Sequence, residues 1–117
     1  MTVQECYEKM GGDYADVTSR LRTDERIKKF LLKVADDMSF SNLCENLAAH
    51  NIAEAFRAAH TLKGVCSNLS LTMLYKSASA MTEALRGKEE YSSEFEPYLD
   101  RVKEDYAVTI ECIKNID

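Results

Sequence analysis

From Asn51 to Leu69 the chain reads NIAEAFRAAHTLKGVCSNL, with apolar side chains at positions 52, 55, 59, 62, 66 and 69. That spacing gathers them on roughly a third of the circumference of an α-helix, one face turned to a core. His60 lies well off the stripe, and Phe56, Lys63, Gly64 and Ser67 share its side of the helix. Gly64 is out of place on propensity alone. Glycine costs about 1 kcal/mol against alanine inside a helix, and Ala58, Ala59, Thr61 and Leu62 give no signal for the helix to stop. A glycine kept there leaves room for something to approach the helix beside the imidazole. Lys63, one turn from His60, can reach an anion held on the ring. The pattern fits an imidazole that meets a bulky, negatively charged group delivered by another macromolecule.

The same period runs through the other segments. Val3, Tyr7 and Met10 predict a short helix ended by Gly11 and Gly12, and Asp13 can cap a second carrying Tyr14, Val17 and Leu21. Both are too short to stand alone and should cover one end of a larger bundle. A helix beginning at Thr23 places Ile27, Phe30, Leu31, Val34 and Met38 inward. The next, over 39–49, has Ser39 as a candidate N-cap and turns Phe40, Leu43 and Leu47 inward. His50 and Asn51 form a break; Asn51 can cap the His60 helix, with Glu54 completing a capping box. Leu71, Leu74, Ala78, Met81 and Leu85 mark a helix closed by Arg86 and Gly87. The last helix starts near Ser92 or Ser93, holds Pro97 in its first turn, and buries Phe95, Leu99, Val102, Tyr106, Ile110 and Ile113. Segments near 24–38, 39–49, 51–69, 71–87 and 93–116, joined by short links, predict an antiparallel helical bundle. At 117 residues with one proline, this reads as one all-α domain over 1–117. Residues 1–22 form the N-terminal cover and 23–117 the bundle.

At this point the residues resemble a known family. His60-Thr61-Leu62-Lys63-Gly64, preceded by Ala58-Ala59 and followed by Asn68-Leu69, is similar to the histidine phosphotransfer (HPt) domain of multistep phosphorelays. The Gly-Gly-Asp-Tyr tract at 11–14 also resembles the leading part of some stand-alone HPt domains. One departure is Ser70, where many members carry a second glycine. The resemblance implies an antiparallel four-helix bundle with additional short N-terminal helices. It also implies that His60 takes a phosphoryl group from a receiver-domain aspartate and passes it to another receiver. Lys63 would then stabilise the phosphoryl charge and Gly64 would clear space for the receiver. Ser67 and Asn68 are candidate polar contacts, and Phe56, Arg57 and Ser67 candidate partner contacts. Receivers of response regulators or of hybrid sensor kinases are the expected partners.

Other function classes fit less well. There is no Walker loop, kinase glycine-rich loop or acidic metal cluster, so no ATP-dependent kinase activity, cofactor or metal is expected here, and Mg²⁺ should come with the receiver. Neither His60 nor His50 has thiol or carboxylate partners at ligand spacing. Twenty acidic against 15 basic residues, a net charge of -5, disfavour nucleic acid. No apolar run is long enough for a membrane span and no leader opens the chain. Cys6, Cys44, Cys66 and Cys112 are scattered without a CxxC pair and read as reduced, which points to a cytoplasmic protein. With every helix face assigned to one core, a monomer is expected. Arg57, Lys76 and Arg86, taken singly, read as solvated helix charges. Two rivals remain: a binding-only helical module, and an enzyme using His60 as general base, which would need a pocket and an orienting carboxylate.

Overall fold

Short polar side chains set where the helices begin. Thr2, Asp13, Thr23 and Asn51 each accept a hydrogen bond from the backbone N–H three residues on, satisfying a donor that the first turn leaves free. In the computed structural model, which describes all of residues 1–117, these caps open four of seven α-helices. The helices are α1 (Val3–Met10), α2 (Tyr14–Leu21), α3 (Asp24–Asp36), α4 (Ser39–Ala48), α5 (Ile52–Asn68), α6 (Thr72–Leu85) and α7 (Glu96–Lys114). A 3₁₀ turn, Ser93–Phe95, leads into α7, whose Pro97 sits in the first turn, where its missing N–H is not needed.

Helices α4 to α7 pack as sequential antiparallel neighbours, because the links at 49–51, 69–71 and 86–92 are too short for anything else. The fold is therefore the all-α bundle expected. Helices α1 to α3 pack on it, α1 and α3 against α7 and α2 against α3. One cluster of 27 buried apolar residues runs through all seven helices. Helix α5 contributes Ile52, Ala55, Ala58, Ala59, Leu62 and Cys66, so the stripe read from the sequence is the buried face. Between α4 and α7, Phe40 and Tyr106 stack with centroids 3.9 Å apart and planes at 7°, an aromatic pair worth about 1 kcal/mol beyond its area.

Several local expectations are corrected. Met38 is 62% exposed rather than inward. Helix α3 stops at Asp36, and Asp37 is extended (ψ 134°), so Met38 belongs to the link and leaves the stripe. Phe30 lies at the rim, 36% exposed, with the Lys33 ammonium 5.1 Å from its ring centre. Ser39 does not cap α4; its N–H donates to the Asp37 carboxylate at 2.8 Å. At Asn51 only half of the capping box forms, since the Glu54 carboxylate pairs with Arg57 at 2.7 Å. Asp105 and Thr109 are buried on α7 without having been expected there, Asp105 beside Arg101 at 3.5 Å and Thr109 donating to the Asp105 carbonyl.

Candidate functional site

The buried face of α5 fixes what its other face presents. With Ala59 and Leu62 turned inward, His60 is exposed, and Phe56 lies one turn before it with ring centres 6.2 Å apart. Phe56 is half-buried and Lys63 partly so, the Lys63 ammonium lying 5.9 Å from the centre of the Tyr75 ring on α6. At that distance the face of the Tyr75 ring attracts the ammonium, a cation–π contact between α5 and α6.

Gly64 sits in the third quarter of α5, exposed and in regular helix. A Cβ built there would meet no atom of the chain within 4 Å. Internal packing therefore gives no reason for a glycine at this position. Gly12 differs: its Cβ would come within 2.7 Å of the Tyr7 ring and 3.1 Å of the Ser70 carbonyl. One glycine is required by the fold; the other leaves open space outside it.

The end of α6 brings in Glu83, which sequence reasoning passed over, and the capping residue Arg86, which it read as a solvated charge. Arg86 and Glu83 form a two-point ion pair, Nη2 to Oε1 at 3.0 Å and Nε to Oε2 at 3.1 Å. The Arg86 guanidinium lies over the Phe56 ring, 5.2 Å from its centre. Arg86 holds the Glu83 carboxyl below the usual carboxylate range, and Lys63 and His60 act on it in the same direction. Glu83 thus joins its contact partner Arg86 to the electrostatic surroundings of Lys63 and His60. The only linear signal was an i, i+3 charge pair, which sequence alone cannot tell from an ordinary surface pair.

The remaining candidates spread along α5. Ser67 and Asn68 are exposed on its last turn, and Arg57 lies on the flank, engaged with Glu54. Phe56, His60, Lys63 and Gly64 form one face. Ser67 extends it, while Arg57 and Asn68 border it. His50 lies elsewhere: it occupies a left-handed backbone position (φ 59°) before α5 and stacks on Tyr91 at 4.0 Å. Nowhere do three His, Cys, Asp or Glu side chains converge as metal ligands would.

A family model for the Hpt domain matches residues 27–110. The chain belongs to the Hpt domain family. The match spans α4 to α6 with most of α3 and of α7, and includes the whole His60 face. Neither comparison with curated proteins nor comparison with solved structures gives a match. Histidine phosphotransfer in phosphorelays, with receiver domains as partners, is what membership of this family entails. No helix is long and apolar enough to cross a membrane.

Proposed function

We propose that His60 is the phosphoryl carrier of this Hpt domain, accepting the group from a receiver aspartyl phosphate and delivering it to a second receiver. An unprotonated imidazole nitrogen attacks phosphorus and the N–P bond forms as the aspartyl O–P bond breaks. The bonding pair leaves with the aspartate as a carboxylate, and the ring loses its surplus proton to solvent. Transfer to the next receiver is the reverse step on a new carboxylate. Such a reaction asks mainly for position and charge stabilisation.

The observation that carries this reading is Gly64: a glycine inside a regular helix, beside an exposed imidazole, with nothing of its own chain to make room for. A receiver brings its phosphoryl group in a shallow acidic surface, and a side chain at 64 would hold that surface away from His60. Lys63 neutralises the incoming phosphoryl oxygens, and Arg86 is a second cation for them once it exchanges Glu83 for phosphate. Phe56, Arg57 and Ser67 contact the receiver, Asn68 adds a polar contact, and Mg²⁺ is carried by the receiver. A groove of about 460 Å³ between α2, α3 and α5, lined in part by Leu21, Phe30, Val34 and Val65, lies further round α5 and meets this face only at the bordering Asn68.

The test is to incubate the protein with a panel of phosphorylated receiver domains and Mg²⁺, following label onto wild type and His60→Gln. Acid-labile, alkali-stable label on wild type alone is expected. Equal label on His60→Gln would remove His60 from the reaction, and no label from any receiver would leave a binding-only module.

A further inference from the structure

The family match begins at residue 27, yet the segment before it is built into the end of the His60 helix. Tyr7, fully buried, donates through its hydroxyl to the Leu69 carbonyl at 2.7 Å. The Asp13 N–H donates to the Ser70 carbonyl at 2.9 Å. Arg20 reaches across from α2: its Nη2 donates to the Asn68 carbonyl at 2.9 Å and to Ser70 Oγ at 2.7 Å. Its Nη1 donates to Asp16 Oδ2 at 2.7 Å, and Ser70 Oγ donates to the same carboxylate oxygen at 2.5 Å. The last carbonyls of a helix have no partner within it, and a left-handed glycine usually completes the end. Here the left-handed residue is Ser70 (φ 54°), a conformation that disfavours any side chain. Its hydroxyl and the α5 carbonyls are held by the same arginine, so the contacts from α2 replace what a glycine would supply.

Resting on the phosphotransfer reading above, we infer that Arg20, with Asp16 and Ser70, is a positioning group for receiver docking. It holds the last turn of α5, and so sets how Ser67 and Asn68 are presented to the partner. Ser70, to which both Arg20 and Asp16 are bonded, lies ten residues beyond His60. Ser70 is 7% exposed and cannot itself touch a receiver, so any effect of changing it on docking must pass through the turn. The N-terminal helices then belong to the partner-reading surface although they lie outside the matched family segment.

The experiment uses the full chain and the receiver that labels wild type most strongly. Transfer is followed against receiver concentration for wild type, Ser70→Ala, Ser70→Gly, Arg20→Met and Asp16→Asn. In parallel, phosphoramidate, a small donor that loses ammonia as its P–N bond breaks, labels His60 without a receiver. For Ser70→Ala and Arg20→Met the half-saturating receiver concentration is expected to rise about fivefold, with the saturating rate and the phosphoramidate rate unchanged. Ser70→Gly, free to adopt the left-handed position, is expected to stay near wild type. Asp16→Asn, the mildest change, should show the same split and keeps the test open if Arg20→Met does not fold. Wild-type half-saturation in folded Ser70→Ala and Asp16→Asn would overturn the inference, as would a parallel loss of phosphoramidate labelling. Failure of wild type to take label from any receiver would instead overturn the phosphotransfer reading on which the inference rests.

Discussion

Replacing Gly64 should move stability and activity in opposite directions. In Gly64→Ala the new methyl group meets nothing within 4 Å, and the backbone there is regular helix, so no strain offsets the gain in helix propensity. An exposed interior glycine costs about 1 kcal/mol relative to alanine, largely because the unfolded chain is more restricted with alanine. For a chain of this size, 1 kcal/mol corresponds to a rise in Tm of about 3–5 °C. Gly64→Gln should retain most of this gain, glutamine being nearly as good a helix former. Receiver transfer should respond the other way. A methyl group displaces the docked surface slightly and should slow transfer several-fold. The glutamine side chain, extending from the turn after His60, should slow it about a hundredfold, as a displacement of about 1 Å between reacting groups can. Thermal unfolding by circular dichroism and transfer from a phosphorylated receiver measure the two arms on the same samples. Phosphoramidate labelling, which needs no docking, should stay at the wild-type rate in both variants. Transfer at the wild-type rate in Gly64→Gln would refute the clearance reasoning. A lower Tm in Gly64→Ala would refute the premise that the site is an unstrained helix position.

Arg86→Gln should lower the saturating transfer rate roughly three- to tenfold by removing one charge-assisted contact to the phosphoryl oxygens, measured by rapid-quench transfer at saturating receiver; an unchanged rate would confine Arg86 to its pair with Glu83. Asp16 carries a carboxyl lowered from 3.8 by the Ser70 hydroxyl and by Arg20. A depressed folded-state pKa contributes stability that is present above the unfolded value and is lost as pH falls through the folded one. Between wild type and Asp16→Asn, the difference in Tm should therefore be full at pH 6 and shrink below pH 4, and a difference that grows in acid would refute the assignment. Burial pushes the Cys6 and Cys66 thiols up to about 12, with the Cys112 thiol adding to the effect on Cys6, whereas Cys44 is raised but half-exposed. Iodoacetamide at pH 8 should alkylate Cys44 in the native protein well before the other three, as peptide mapping would show.

The helical stripes were legible because burial repeats with the period of the helix. Ile52, Ala55, Ala59, Leu62 and Cys66 are inward on α5, and Leu71, Leu74, Ala78, Met81 and Leu85 line the inner side of α6. Periodicity fails where the helix ends, because it carries no information about the angle of the next element. Met38 continued the α3 stripe in sequence but lies past the extended Asp37, and so is exposed. Caps were legible to the extent that they are local: Asp13 and Asn51, both expected as caps, act within three residues of themselves, and so do Thr2 and Thr23, which were not singled out as caps. The cap on α4 was misread because Asp37 and Ser39 both offered a suitable oxygen, and only the turn of the chain chooses between them.

The His60 face divides along the same line. Phe56, His60, Lys63 and Gly64 lie on one helix, so spacing alone brings them together, and the short motif could be read without a structure. Glu83 and Arg86 reach that face only because α6 packs against α5, and nothing in their own neighbourhood distinguishes them from other surface pairs. Ser70 shows a third case. It stands where many members of the family carry a glycine. The left-handed backbone is nevertheless kept, and the partners that hold it, Asp16 and Arg20, lie 54 and 50 residues away. A serine in a glycine position is thus informative once its hydroxyl is traced. It implies that a change at Ser70 and a change at Arg20 should not add: Arg20→Met should destabilise the wild type more than it destabilises Ser70→Gly, in which the turn no longer depends on the hydroxyl.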